Sequence, residues 1–127
     1  MRLYRNIKPI FIDDRGGSTV LLDDGKTKIK SILLITCQKG AIRANHYHKK
    51  DSHYSYMLSG KMEYREKMAT GKGIIKKAII RTRDMVYTPP MAIHAMRFLE
   101  KSVFLAFATK SRKGNAYEND TVRIKLI

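Results

Sequence analysis

The stretch Arg43–Gly60, RANHYHKKDSHYSYMLSG, holds three of the chain's four histidines, His46, His48 and His53. The fourth, His94, lies in DMVYTPPMAIHAM, just after Pro89-Pro90. His46 and His48 are two residues apart, so on a strand both rings leave the same face. KKDS reads as a turn, and a hairpin there folds His53 back beside the first pair. A chain that places all its imidazole at these spacings has built one site. Imidazole is the commonest protein metal ligand and also the side chain that moves protons near neutral pH.

Around this stretch the pattern is almost entirely strand. The runs STVLL, KIKSILLIT, AIRANHYH, HYSYML, KMEYRE, GIIKKAII, MVYT, AIHAMRFL, SVFLAFAT and TVRIKLI are short, β-branched and aromatic. Turn signals such as LLDDG, LSGK and TGKG separate them. Such spacing predicts an all-β antiparallel sandwich or barrel. A closed barrel can bring the four histidines to one interior point, which a flat sheet cannot. The polar segment KSRKGNAYEND, residues 110–120, reads as a loop or short helix before a last strand.

The 127 residues fit a single domain, 1–127, with a real core, and 43% hydrophobic content is ordinary for a globular chain. No run of about 18 apolar residues exists to span a membrane. MRLYRNIKPIF lacks the long apolar stretch of a secretory signal. The one cysteine, Cys37, sits in SILLITCQKG and reads as buried core. With no signal and no disulfide, a cytoplasmic location is expected. The net charge of +15 favours anionic partners. No recognition helix, zinc finger or RNA-binding aromatic motif accompanies it, so specific nucleic-acid binding is not expected.

The histidine spacing resembles the cupin superfamily. Its first motif has Gly, five residues, His-x-His, three or four residues, Glu, six residues and Gly. Here Gly40, His46, His48 and Gly60 match, with His53 in the Glu position. In the second motif Asp84, Pro89 and His94 match, while Arg83 and Met91 replace glycines and Phe98 replaces Asn. The resemblance implies a cupin jelly roll. It also implies a metal held by His46, His48, His53 and His94. An all-imidazole set suits Zn, Ni, Fe, Mn or Cu rather than Mg or Ca.

A second resemblance concerns the substrate. FIDDRG, residues 11–16, and RANHYH, residues 43–48, are similar to segments of dTDP-sugar epimerase and ketoisomerase cupins. That implies His46 as a base beside a sugar ketone, with His48 taking part. It implies Arg15 and Arg43 as substrate-binding groups for phosphate. Their bland alternative is a surface pairing with Asp13, Asp14 or Asp51. Small cupins grouped with surface-polysaccharide functions look closer still. Among the tyrosines, Tyr56 and Tyr64 are the candidates for an acid opposite a histidine base. Met57, Met62, Met85, Met91 and Met96 are expected to fill the barrel and its mouth, and Asp84 is expected to serve a turn.

The expected protein is therefore a metal-binding cupin, an isomerase or epimerase on a small sugar or nucleotide-linked substrate, and a homodimer. The alternatives are a metal-free epimerase or ketoisomerase using His46 as base, a metal-dependent dioxygenase, and a non-catalytic ligand-binding cupin.

Overall fold

In the computed structural model, which describes residues 1–127, the alternation of apolar and polar residues becomes two facing antiparallel sheets. The strands run in chain order as β1 (Arg2–Tyr4), β2 (Phe11–Asp13), β3 (Gly16–Ser18), β4 (Ser31–Cys37), β5 (Ile42–His48) and β6 (His53–Ser59). They continue as β7 (Lys61–Met68), β8 (Lys76–Arg81), β9 (Met85–Thr88), β10 (Ala92–Phe98) and β11 (Ser102–Ala108). A short helix, α1 (Ala116–Asn119), precedes β12 (Thr121–Arg123). One sheet has the order β1-β9-β6-β11-β4 and the other β12-β5-β10-β7-β8, while β2 and β3 form a separate hairpin.

Strand β11, and β7 as far as Lys67, alternate between buried and half-buried residues, as two-faced strands do. Their inner faces meet in a core of Cys37, Met57, Met62, Tyr64, Ile80, Val86, Met96, Phe98, Phe104 and Ala106. Cys37 is free and buried, as its apolar setting predicts. The central strands β6 and β10 are buried on both faces. Outside β6, a second cluster of Tyr54, Tyr56 and Met85 is covered by Tyr4, Ile7, Leu21 and Leu22. Met85 thus packs outside the barrel, unlike Met57, Met62 and Met96.

Three differences from the sequence reading have physical reasons. The run STVLL is extended only at Ser18, because Leu21 and Leu22 are drawn onto the outer tyrosine cluster instead of a ladder. Strand β1 is too short to show a period, and it forms only by pairing with β9. Strand β5 is bulged: His94 faces His46, but the next residue, Ala95, faces Ala44, leaving Asn45 unpaired in the register. The Asn45 side chain fastens the C-terminal tail, its Oδ1 accepting from the backbone N–H groups of Leu126 (2.8 Å) and Ile127 (3.0 Å).

The two positions where the cupin pattern has glycine and this chain does not, and Ala44 beside Arg43, all keep a left-handed backbone. Ala44 has φ +67°, Arg83 φ +74° and Met91 φ +67°. The fold demands that conformation and the side chains tolerate it, at a cost of about 1–2 kcal/mol each. Gly60 is retained at φ +97°, where a Cβ would collide with Ser102.

Asp84 serves the turn, as expected. Its carboxylate accepts from the backbone N–H groups of Arg81 (2.9 Å) and Asn6 (2.8 Å) and from the Arg5 guanidinium (2.8 Å), tying the N-terminal segment to the β8–β9 turn. Burial alone would raise its pKa, but these hydrogen bonds outweigh burial and lower it.

Two outcomes follow. Arg83→Gly should raise stability by about 0.5–1 kcal/mol in chemical denaturation, because relief of the left-handed strain exceeds the added chain entropy. Asp84→Ala should lower stability by about 2 kcal/mol at neutral pH. The sign of its pH dependence is set by the lowered folded pKa. Asp84's contribution is complete above about pH 4 and fades as pH falls through the folded value. The wild-type and variant curves should therefore converge in acid; a gap that persists there contradicts this role.

Candidate functional site

Between the sheets, strands β4, β5, β6, β10 and β11 enclose a cavity of about 120 Å³. His46 and His48 enter it from β5, His53 and Ser55 from β6, and His94 from β10. Ile35, Met96, Phe104 and Ala106 supply the apolar wall, and Arg43, Arg112 and Tyr117 the remaining polar one. All four histidines are buried. One ring nitrogen from each of His46, His48 and His94 lies within 4.8 Å of the others. His53 falls in a neighbouring group with His48 and Asp51, its ring 5.1 Å from that of His94 and 5.8 Å from that of His48. The sequence brings all four rings into one cavity, as two groups of three that share His48, the second including the Asp51 carboxylate.

Their surroundings select tautomers. His94 Nδ1 lies 3.0 Å from the Ala92 carbonyl, so it donates its proton there and leaves Nε2 as a lone pair. The Thr121 hydroxyl donates to the Tyr117 carbonyl at 2.5 Å. Its one proton is thereby committed, so at 3.2 Å from His48 Nδ1 it accepts. His48 Nε2 is then a buried lone pair, and it has no partner. His46 Nδ1 and His53 Nδ1 are also buried without partners. Burial lowers the pKa of every ring. His46 falls to about 3, helped by His94 and His48 beside it. His94 falls to about 4, despite the opposing Ala92 bond. His53 is lowered well below its usual value. His48 is lowered less far, since burial is opposed by Asp51. At neutral pH the cavity holds four neutral imidazoles with lone pairs.

That donor set fits a transition metal. Buried polar atoms without partners are costly, and three ring nitrogens here have none. The two hydrogen-bonded rings show the outer support that orients histidine ligands.

The other nominated residues divide. Arg43 lines the cavity, where its Nε reaches Cys37 Sγ (3.1 Å) and its Nη2 the Thr36 carbonyl (3.0 Å). Arg15 does not. It sits on the exposed β2–β3 hairpin and pairs with Asp13, Nε to Oδ2 at 2.9 Å, which is the bland alternative. Tyr56 also fails as an acid for this cavity. His53 and Ser55 face inward, so strand alternation turns Tyr54 and Tyr56 into the outer cluster. Tyr64 is in the core, with its hydroxyl donating to Glu66 Oε1 (2.8 Å) and bonded to Thr88 Oγ1 (2.8 Å). Its ring stacks on His94 at 6.5 Å, so it backs the site without lining it.

Two wall residues have no sequence signal that singles them out, Arg112 and Tyr117. Both come from the polar segment after β11. The Tyr117 ring lies 5.3 Å from that of His48 and 6.0 Å from that of His46. Burial raises its pKa, against the pull of Arg112 and Arg123.

No family model and no curated protein matches this chain. Solved structures do. The dTDP-4-dehydrorhamnose 3,5-epimerase from Sulfolobus tokodaii superposes with a TM-score of 0.75 at 18% identity, over 91% of this chain and 73% of that one. The sugar 3,4-ketoisomerase QdtA from Thermoanaerobacterium thermosaccharolyticum, solved in complex with TDP, gives 0.67 at 23% identity, over 96% and 86%. The capsular polysaccharide assembling protein CapF from Staphylococcus aureus gives 0.70 at 18% identity, over 91% of this chain and 32% of that much longer one. These likenesses, with the two facing sheets, establish the cupin jelly roll as the fold of this chain. No helix is long and apolar enough to cross a membrane.

Proposed function

We propose that this chain is a metal-binding cupin that isomerises or epimerises a sugar carried on a nucleotide. The observation that carries the metal is the convergence of His46, His48 and His94 with buried, partnerless ring nitrogens. His53 completes the set from the edge of the group. A bound divalent transition metal, Zn, Ni, Fe, Mn or Cu, supplies Lewis-acid polarisation of a substrate oxygen. What supports the sugar nucleotide is the likeness to the epimerase and to the ketoisomerase with TDP.

The chain's own residues then have these tasks. The two sheets keep bulk water from the histidines. Tyr117, whose phenol keeps its proton at neutral pH, would act as the acid that returns a proton to the sugar, while the proton removed beside the ketone goes to a neutral imidazole of the cavity. Arg43 is fixed in the cavity wall by Cys37 and the Thr36 carbonyl. The metal-free reading, with His46 as the base, uses the same cavity and is separated from the metal reading by metal content.

Homodimerisation is part of the proposal. The hairpin segment exposes Ile10 (74%) and Ile12 (70%), and the outer face of β4 exposes Ile32 (63%) and Leu34 (65%). Such apolar surface is ordinarily covered, and a second copy would also give Arg15 a site to reach.

The tests are direct. His46→Ala and His94→Ala should each lose bound metal, while His53→Ala should keep it at reduced affinity. Thr121→Val, which frees the His48 ring, should weaken retention about tenfold. Metal content unchanged in His46→Ala and His94→Ala sinks the centre. A TDP-linked 4-keto sugar incubated with the protein in D2O should gain deuterium beside the ketone, and Tyr117→Phe should stop it. Binding without any exchange would mark a non-catalytic cupin. Light scattering at low micromolar concentration should give twice the monomer mass; a monomer alone refutes the dimer.

A further inference from the structure

We infer that Arg112 is the oxyanion-recognising residue of the histidine cavity, taking a carboxylate or phosphoryl group of the ligand. The inference rests on the reading of this cavity as the substrate site, though not on the identity of the metal.

Arg112 lines the cavity together with the four histidines. Its guanidinium carbon lies 4.7 Å from the centre of the Tyr117 ring, so stacking holds the planar group in place. Its side chain is only 19% exposed, yet its Nε is buried without a partner. Its ion pair with Asp51 is loose, with Nη2 3.8 Å from Oδ2, beyond hydrogen-bond length. Asp51 Oδ1 accepts from the Thr109 backbone N–H, the Thr109 hydroxyl and the Lys110 backbone N–H, each at 3.1 Å, and Oδ2 is the oxygen turned toward Arg112. Arg112 Nε is therefore a buried donor with no partner in the protein.

Arg43 makes the contrast. It lines the same cavity, but its guanidinium is bound to Cys37 and to the Thr36 carbonyl. The lining holds two arginines and no carboxylate, and the Asp51 carboxylate behind it faces Arg112 only at 3.8 Å. Desolvated guanidinium donors are costly to leave unmade, and a ligand oxyanion meets them in the fork geometry that Arg offers. The volume of about 120 Å³ is small beside the several hundred usual for larger ligands. The anion at Arg112 therefore belongs to the part of the substrate that enters: a carboxylate on the sugar or the phosphoryl group next to it.

The test is calorimetric titration of the protein as purified with inorganic phosphate, with D-glucuronate, and with neutral glucose. Wild type, Arg112→Ala and Arg112→Lys are compared, with metal content measured on each. The expected result is binding of at least one anion and not of glucose. Arg112→Ala should weaken it about tenfold or more, with Arg112→Lys between the two. Metal content should be the same in all three. The anion that binds assigns the source, glucuronate for a sugar carboxylate and phosphate for a phosphoryl group. Equal anion affinity in all three proteins, or no anion bound by wild type, overturns the inference. Loss of anion binding in Arg112→Ala from a preparation that holds no metal and takes up none when it is added leaves Arg112's role standing and removes the metal from the proposal.

Discussion

Everything in this fold that bears on function depends on holding neutral imidazoles in a buried cavity. Four buried rings cannot all be protonated there, because burial disfavours the cation and each ring disfavours charge on its neighbours. Left neutral, they present lone pairs that the protein does not satisfy. Thr121 and the Ala92 carbonyl fix two of the rings from behind, so the arrangement is supported rather than accidental. The proposed metal would answer those lone pairs.

The backbone bends around that requirement. The β5 bulge inserts Asn45 just before His46, and the extra residue anchors the C-terminal tail. The tail follows β12, which carries Thr121, and β12 follows the segment that brings Arg112 and Tyr117 over the cavity. One irregularity therefore links the first histidine motif to the far end of the chain. The left-handed Ala44, Arg83 and Met91 belong to the same picture. The glycines of the cupin pattern answer a backbone requirement, and this chain meets it at some cost in strain.

Much of the site could be read from the sequence because histidine is scarce and its spacing is geometric. His46 and His48 share a face by strand parity, and the turn at KKDS returns His53. Cys37 and Asp84 were legible from their local setting. Parity also places Tyr56 on the face opposite His53, so its exclusion was available in the same strand. What the sequence could not give was anything set by long-range closure. Arg112 and Tyr117 sit in a polar segment with no period, and only the path of the chain from β11 to β12 carries them to the cavity. Arg15 lies in a segment similar to that of sugar-nucleotide enzymes, but the hairpin keeps it with Asp13. The small strand β1 has no signal apart from its partner β9.

The most direct measurement is metal stoichiometry by native mass spectrometry and elemental analysis on untagged protein prepared without chelator at neutral pH. The account predicts close to one transition-metal ion per chain. A metal-free protein that takes up none on exposure to Zn, Ni, Fe, Mn or Cu would contradict it and return His46 to the role of a base.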